Sequence, residues 1–346
     1  MLIAYHLNAE NEKPNAAYDS FSCAVIQYRK YHLEENLGMK QPLISVCCVA
    51  YNHAPYIRQA LDGVLMQKTK YPMEVIVHDD RSTDGTDAII QEYADKYPDV
   101  IKPLFEEENQ YSKGKSMLLD ILFPMARGKY VAWLECDDYW TDPNKLQKQV
   151  GYMEAHPECS GTFHAANWLV DEKIVRNDRH FDHECDVTPQ QVILGGGEYC
   201  ASASLVFRTK YAWDMPKFRK IANVTDYPQQ ILLALRGQFH YFPEIMSAYR
   251  LGRAGSWTAM VRNDAEKRYQ ALRASIRWLE ELDRYTEGRY ADEIFYKIGK
   301  ERCVLYKHRQ IPFSELRATL DHMKMGRLKL RMIKKCYERY LKYEIM

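Results

Sequence analysis

The chain has 346 residues, which is enough for one large domain or for two domains of unequal size. Its composition, 46% hydrophobic and 27% charged, supplies ample material for a core. The net charge of +1 provides no overall field that would favour nucleic acid, so no nucleic-acid partner is predicted.

Targeting signals and cysteine usage both favour an intracellular protein. No apolar run approaches the ~20 residues of a membrane-spanning helix. The N-terminus lacks the basic and apolar regions of a signal peptide. The nine cysteines show no paired spacing, which is typical of reduced thiols. A cytoplasmic location is therefore predicted.

The first convincing element along the chain is a buried strand. Residues 1–41 are weakly patterned, and we predict that they form an N-terminal appendage, with the compact domain beginning near Met39. Residues 43–51 are almost continuously apolar and β-branched, as buried parallel strands are. A helix with apolar residues at helical spacing is predicted to follow from about Ile57.

Strands and helices then alternate. Residues 73–77 and 100–105 read as the second and third strands, and residues 116–126 as a helix. A fourth strand is predicted over residues 130–134, where aromatic and β-branched residues cluster. This alternation predicts a doubly wound, mostly parallel sheet.

Acidic residues follow the fourth strand directly. The run is Glu135-Cys136-Asp137-Asp138, and a helix is predicted after it with Asp142 as N-cap and Pro143 at its first position. Adjacent aspartates repel each other unless a cation or a hydrogen-bond donor compensates. A hard divalent ion is the usual partner, and a solvated turn is the simpler alternative.

The second half of the chain ends in helices. Strands are predicted over residues 161–170, 200–207 and 239–250, and a helix over 225–236. From residue 263 onward the pattern is helical. Residues 324–346 carry eight Lys or Arg against two Glu, which suits either a membrane-surface helix or a solvated helix packed on the domain.

Four motifs together resemble the family-2 glycosyltransferases of the GT-A fold. In chain order they are V-A-Y-N-H-A-P-Y-I (49–57), H-D-D-R-S-T-D-G-T (78–86), A-R-G-K-Y-V-A-W-L-E-C-D-D-Y-W (126–140) and T-D-Y-P-Q-Q-I-L-L-A-L-R-G (225–237). The resemblance covers about residues 43–257 and leaves both ends of the chain outside it.

The resemblance implies the architecture. It predicts an α/β fold, a GT-A type Rossmann-like, mostly parallel sheet flanked by helices, with a C-terminal helical extension. The glycosyltransferase domain would span residues 42–260, with a nucleotide-sugar half at 42–142 and an acceptor half at 143–260. Residues 261–346 would form the helical extension with its basic tail.

The resemblance also implies the donor site. Val49 and Tyr51 match positions that contact the nucleotide, and Asp80 matches the residue that hydrogen-bonds the base. Asp138 matches the acid that coordinates Mn²⁺ or Mg²⁺ on the diphosphate, with Asp137 beside it near the ribose and sugar. The sequence departs from a strict D-x-D motif, which leaves open whether Glu135 or Asp137 shares the metal.

Asp226 matches the general base of inverting members. It lies at a predicted helix N-terminus, where the helix dipole favours the ionised form; an N-cap without chemistry is the alternative. The implied activity is inverting transfer of a sugar from a nucleotide-diphosphate sugar, with UDP favoured, to a hydroxyl of a glycan or lipid-linked glycan. In this chemistry the metal assists the leaving group.

Two other functions remain open from the sequence. The first is a nucleotide-sugar binding module of the same fold that lacks turnover, which would need no base at Asp226. The second is a metal-dependent nucleotidyltransferase. That class would use a Gly-rich and basic triphosphate loop after the first strand, and residues 51–55 are not such a loop.

Overall fold

The computed structural model describes residues 41–253 and 257–342, without the side chains of Trp257 and Thr258. Apart from Gln41, the predicted N-terminal appendage lies outside the described residues, and so does the predicted domain start near Met39.

One mixed sheet organises the described residues. Its strands, in the spatial order β3-β2-β1-β4-β9-β6-β10-β5 with β7 beside β6 and β8 beside β10, form a single layer. The strands are β1 Ile44–Ala50, β2 Met73–Asp79, β3 Ile101–Phe105, β4 Tyr130–Glu135, β5 Tyr139–Trp140, β6 Cys159–Val170, β7 Lys173–Asn177, β8 Cys185–Val187, β9 Val206–Arg208 and β10 Gln238–Arg250.

The strand directions bring six strand ends to one edge. β1 pairs in parallel with β2 and β4, and β2 with β3. β9 is antiparallel to both β4 and β6, and β10 is parallel to β6. β1, β2, β3, β4, β6 and β10 therefore end at the same edge, where open α/β sheets bind ligands. The predicted mostly parallel α/β sheet is confirmed.

Helices flank the sheet and close the chain. None in the described part combines the length and apolarity needed to span a bilayer. The predicted boundary at residues 260/261 falls inside a helix, and the domain division stays a prediction. The helices are α1 Ile57–Leu65, α2 Thr86–Lys96, α3 Lys145–Ala155, α4 Pro189–Gly195, α5 Lys217–Lys220, α6 Asp226–Arg236, α7 Trp257–Asn263, α8 Ala265–Tyr285, α9 Ala291–Lys307, α10 Phe313–Ala318 and α11 Arg327–Tyr340.

Two helix predictions need correction. α3 has Asn144 as its N-cap, because the Asp142 side chain instead accepts the N–H of Asn144 at 2.7 Å in a preceding turn. The predicted helix over residues 116–126 is a π-helix, Met117–Leu122, that runs into one short α-turn. Pro124 has no N–H to donate to the carbonyl of Asp120, so regular α-helical bonding cannot pass through it.

The predicted strand over residues 200–207 is shorter than expected. In this stretch the sheet strand is β9, which begins at Val206, and Ser202–Ser204 form a 3-10 turn before it. The Ser204 hydroxyl donates to the carbonyl of Ala201 at 2.6 Å. Such local side-chain bonds offer the backbone an alternative to the sheet.

Trp140 anchors the turn that follows β4. It is 1% exposed, and its indole N–H donates to the carbonyl of Ala203 at 2.9 Å. A Cβ added at Gly63 of α1 would lie 2.8 Å from the Trp140 carbonyl oxygen, so only glycine permits this close packing. β5 then pairs with β10, which brings the acidic turn 135–138 against the end of β10.

Candidate active site

Four carboxylates gather at the shared strand edge. Glu135 is the last residue of β4, Asp137 and Asp138 lie in the turn after it, and Asp226 is the first residue of α6. Burial and the negative charges of all four acids raise the pKa of the Tyr249 phenol on β10. The fold therefore concentrates negative charge around one point.

Asp138 is the most deeply buried of these acids. It is 1% exposed, and its Oδ1 accepts the backbone N–H of Arg250 at 2.8 Å. Its Oδ2 is buried without a hydrogen-bond partner among the described residues. Burial, followed by the charges of Asp137 and Glu135, raises the pKa of Asp138 well above the ordinary value. The repulsion expected from the sequence is present in the fold.

The neighbouring acids are similarly placed. Asp137 Oδ2 accepts the Arg253 Nε–H at 2.8 Å, and Asp137 Oδ1 is buried with no hydrogen-bond partner within the described ranges. Burial, with Asp137 and Asp226 nearby, raises the pKa of Glu135 to about 8. A cation placed here would relieve all of these groups.

These residues fit a divalent metal of the Mg²⁺ or Mn²⁺ type. Within residues 41–253 and 257–342, no three His, Cys, Asp or Glu side chains are already arranged around a common metal position. Such ions are commonly held by one or two carboxylates plus substrate phosphates, so three protein ligands are not required. The unpartnered oxygens of Asp137 and Asp138 would be its ligands.

Asp226 is half-buried, and Gly197 lies beside its side chain. A Cβ added at Gly197 would lie 3.7 Å from Asp226 Oδ2. Burial raises the pKa of Asp226, and the backbone N–H groups of Tyr227 and of Asp226 itself oppose the shift. The direction is opposite to the one expected from the helix dipole. Because the pKa is raised, Asp226 is a stronger base than an exposed aspartate.

The other predicted nucleotide contacts also lie at this edge. The carbonyl of Val49, which is half-buried near the end of β1, accepts the N–H of Cys136 at 2.8 Å. Tyr51 follows β1 and is 46% exposed. The structure thus brings Val49 next to the acidic turn and leaves the Tyr51 ring accessible.

Asp80 has a role that the sequence did not indicate. Its carboxylate, in a residue that is 2% exposed, accepts the N–H of Gln110 at 2.6 Å and the N–H of Tyr111 at 3.0 Å. Asp80 therefore positions the segment after β3. A contact with the base would use a remaining lone pair, and it stays a prediction.

Polar residues of the 78–86 motif hold the loop that follows β1. Ser82 Oγ accepts the N–H of Asn52 at 2.8 Å, and Asp84 accepts the N–H of Ala54 at 3.0 Å. The buried Thr86 Oγ1 accepts the N–H of His53 at 2.8 Å. Asn52 has a φ of 52°, an uncommon conformation for a non-glycine residue. These hydrogen bonds from the motif therefore fix the loop that follows β1.

Thr86→Val is expected to lower the free energy of unfolding by about 1–3 kcal/mol, because the buried N–H of His53 loses its acceptor. The side-chain volume is almost unchanged, so packing contributes little. Urea denaturation measures the change. Thr141→Val, at an exposed position outside the motif, is the control and should stay within about 0.5 kcal/mol of wild type. Equal losses of stability in both variants would contradict this role of Thr86.

Four residues at the site escaped the sequence prediction. They share a position beside the acidic turn, although they belong to distant parts of the chain. An aromatic and basic run, Tyr249-Arg250-Leu251-Gly252-Arg253, lies at the end of a strand. This pattern could have indicated a ligand-binding edge of the sheet. The four are His53, Tyr249, Arg250 and Arg253.

Comparison with known proteins identifies relatives of this chain. Residues 45–214 match the model of Glycosyl transferase family 2. An uncharacterized protein of Mycobacterium tuberculosis is 35% identical over 222 residues, covering 62% of this chain and 60% of that protein. The UDP-Glc:alpha-D-GlcNAc-diphosphoundecaprenol beta-1,3-glucosyltransferase WfaP of Escherichia coli is 32% identical over 133 residues, covering 38% and 49%. The chain thus spans about 60% or less of these relatives' lengths.

Solved structures show the same fold. The mannosyltransferase PcManGT from Pyrobaculum calidifontis, in complex with GDP-Man and Mn²⁺, superposes with a TM-score of 0.51 and 17% identity, covering 93% of this chain and 95% of that chain. At this identity the likeness establishes the GT-A type architecture. The roles of individual residues rest on the geometry described above.

Proposed function

From the match of residues 45–214 to the model of Glycosyl transferase family 2, we propose that the protein is an inverting, metal-assisted glycosyltransferase. The donor is a nucleotide-diphosphate sugar, with UDP favoured, and the acceptor is a hydroxyl of a glycan or lipid-linked glycan. The observation that carries this proposal is the pair of buried oxygens on Asp137 and Asp138 that lack a hydrogen-bond partner in the part of the chain that the structure describes, at the same sheet edge as Asp226.

The acids have two different tasks in the proposed reaction. A bound divalent ion would neutralise the charge that develops on the departing diphosphate. Asp137 and Asp138 would hold that ion, and Asp226 takes the proton from the acceptor hydroxyl as it attacks the sugar. A carboxylate on the face opposite the leaving group gives inversion. The raised pKa of Asp226 supports this base role.

The relatives support both the donor and acceptor classes. The name of the Escherichia coli relative specifies UDP-Glc and a diphosphoundecaprenol-linked acceptor. The Pyrobaculum calidifontis structure contains GDP-Man and Mn²⁺. We therefore propose that a nucleoside diphosphate binds at the strand edge, with uracil favoured as its base, as in the Escherichia coli relative.

Calorimetric titration of UDP and GDP, each with and without Mn²⁺, tests the proposed donor site. We expect UDP to bind with Mn²⁺ and to bind about ten-fold or more weakly without it, since a bound divalent ion would offset the negative charges of the acids and of the diphosphate. Tighter binding of GDP would reverse the choice of base. No binding of either nucleotide under any metal condition would rule out the donor site.

The structure gives α11 two different faces. Met332 and Cys336 are buried against the protein. Leu330, Tyr337 and Leu341, at helical spacing, are 58%, 49% and 52% exposed. Exposed cations interleave with this apolar stripe, namely Arg331, Lys334 and Lys342. We propose that this outward face contacts an anionic membrane surface, which would bring a lipid-linked acceptor to the enzyme.

The double variant Leu330→Ser, Tyr337→Ser is expected to weaken binding to phosphatidylglycerol-containing vesicles about ten-fold, because it removes most of the apolar stripe. Vesicle co-sedimentation measures this. Ile174→Ser with Val175→Ser is the matched control, since both residues are exposed on β7 (62% and 55%). Equal losses in both double variants, or no binding by wild type, would contradict membrane contact through α11.

A further inference from the structure

Arg253 lies directly against the acidic turn. Its Nε–H donates to Asp137 Oδ2 at 2.8 Å, and its Nη2 lies 2.7 Å from His53 Nε2. The side chain is 13% exposed, and that of Asp137 is 10% exposed. We propose that Arg253 binds the donor diphosphate, and that its ion pair with Asp137 is a resting contact that the diphosphate replaces. This inference rests on the proposed function.

The first argument is the balance of charge. Glu135, Asp137, Asp138 and Asp226 place four carboxylates at one edge. In the structure described, the Arg253 guanidinium pairs with Oδ2 of Asp137, while Oδ1 of the same carboxylate has no hydrogen-bond partner among the described residues. A divalent ion and Arg253 therefore compete electrostatically for Asp137, since each lowers the free energy of the same negative charge.

The second argument distinguishes Arg253 from Arg250. The Arg250 side chain is anchored by Glu172, with contacts at 2.6 and 3.1 Å, and by Gln59 at 2.6 Å. Its guanidinium also packs over Tyr139, and the guanidinium groups of both arginines lie over the Tyr56 ring. Arg250 is thus part of the scaffold. Arg253, by contrast, pairs with a carboxylate that is itself proposed to serve the donor.

The third argument concerns what would retain Arg253 once Asp137 is released. Burial lowers the pKa of His53 to about 4, so the imidazole is neutral at physiological pH. A neutral His53 accepts a hydrogen bond from Arg253 Nη2 through Nε2. The backbone of His53 is fixed by Thr86, so His53 can act as a stationary pivot for the guanidinium.

The guanidinium of Arg253 indicates which chemical class of ligand it would bind. Its planar fork matches two phosphate oxygens, and charge-assisted bonds of this type are stronger than neutral ones. A diphosphate that arrives with a metal supplies both a new anion for Arg253 and a new cation for Asp137. Exchange of partners would then leave Asp137 paired with the cation and Arg253 paired with the phosphates. A permanent structural ion pair would leave Arg253 on Asp137 after the donor binds.

Arg253→Gln separates these two possibilities. We expect the variant to bind UDP with Mn²⁺ about ten-fold or more weakly, because charge-assisted bonds to the phosphates are lost. We expect it to bind Mn²⁺ alone more tightly than wild type, because the competing cation is gone. Binding of uridine, which has no phosphate, should be unchanged. Calorimetry measures the first two affinities at constant ionic strength, and saturation-transfer NMR measures uridine.

Controls keep the outcomes distinct. Arg176→Gln removes an exposed arginine that pairs with Glu198 at 2.8 Å, and it should change none of these affinities. Arg253→Lys retains the charge but not the fork, so it should bind UDP with intermediate affinity, and it replaces the glutamine variant if that variant does not fold. Unchanged UDP affinity in Arg253 variants, with normal wild-type binding, overturns this inference alone. Failure of wild type to bind UDP or GDP overturns the proposed function as well.

Discussion

Asp226→Asn is expected to reduce sugar transfer by about 10²–10⁴-fold, the usual contribution of a positioned general base. Asparagine preserves the size and hydrogen bonding of the side chain but cannot accept the proton of the acceptor hydroxyl. UDP affinity in the presence of Mn²⁺ should remain within about two-fold of wild type, because Asp226 is assigned to the acceptor and not to the donor. Radiolabelled sugar transfer and calorimetry together measure the two effects.

The control for this prediction addresses the possibility that Asp226 merely begins a helix. Asp264 is the N-cap of α8, and its Oδ1 accepts the N–H of Lys267 at 3.1 Å. Asp264→Asn should leave transfer unchanged, since asparagine caps helices as well as aspartate does. Near-wild-type transfer by the Asp226 variant would exclude the base role. Nucleotide-sugar binding by wild type without transfer to any acceptor would favour a binding module instead.

Asp138→Asn is expected to remove metal-dependent UDP binding, with a loss on the order of 100-fold, since one close charge interaction is worth several kcal/mol near a protein surface. The amide oxygen can still accept the N–H of Arg250, so the turn should keep its conformation. Calorimetric titration of UDP at saturating Mn²⁺ measures the loss. UDP binding without metal should change little.

The same substitution should make the metal-free protein more stable. The pKa of Asp138 is raised in the folded state, so ionisation above the pKa of the unfolded chain costs folding free energy. Replacing the carboxylate with an amide removes this cost at pH 7, and thermal unfolding should shift to higher temperature. Stability and metal binding would then change in opposite directions, which a simple loss of folding cannot produce.

Glu74→Gln provides the contrast at the other end of the same sheet. Glu74 lies near the amino end of β2, accepts from Ser45 Oγ at 2.6 Å and pairs with Arg127. Breaking this buried pair should lower stability and leave UDP binding intact. If Asp138→Asn instead destabilised the protein and left UDP binding intact, the metal assignment would be wrong.

Local sequence patterns were sufficient for the main elements and their order. The continuous apolar runs of β1 and β4 mark buried parallel strands, because strands covered on both faces have few polar positions. Short stretches of the sequence likewise predicted the start of α6 at Asp226 and the acidic turn after β4. Boundaries failed where a nearby proline or hydroxyl changed the backbone bonding, as at Pro124 and Ser204.

Partners and proton affinities, by contrast, depended on long-range packing. Arg253 and Asp137 are 116 residues apart in the chain, and Asp80 and Gln110 are 30 apart, so no local pattern pairs them. The pKa of Asp226 was expected to fall at a helix N-terminus, yet burial raises it. Strand order and side-chain packing determine which charged groups come into contact and how far each one remains exposed to water. The amino-acid pattern therefore identified the acids, and the folded chain established their neighbours and their ionisation.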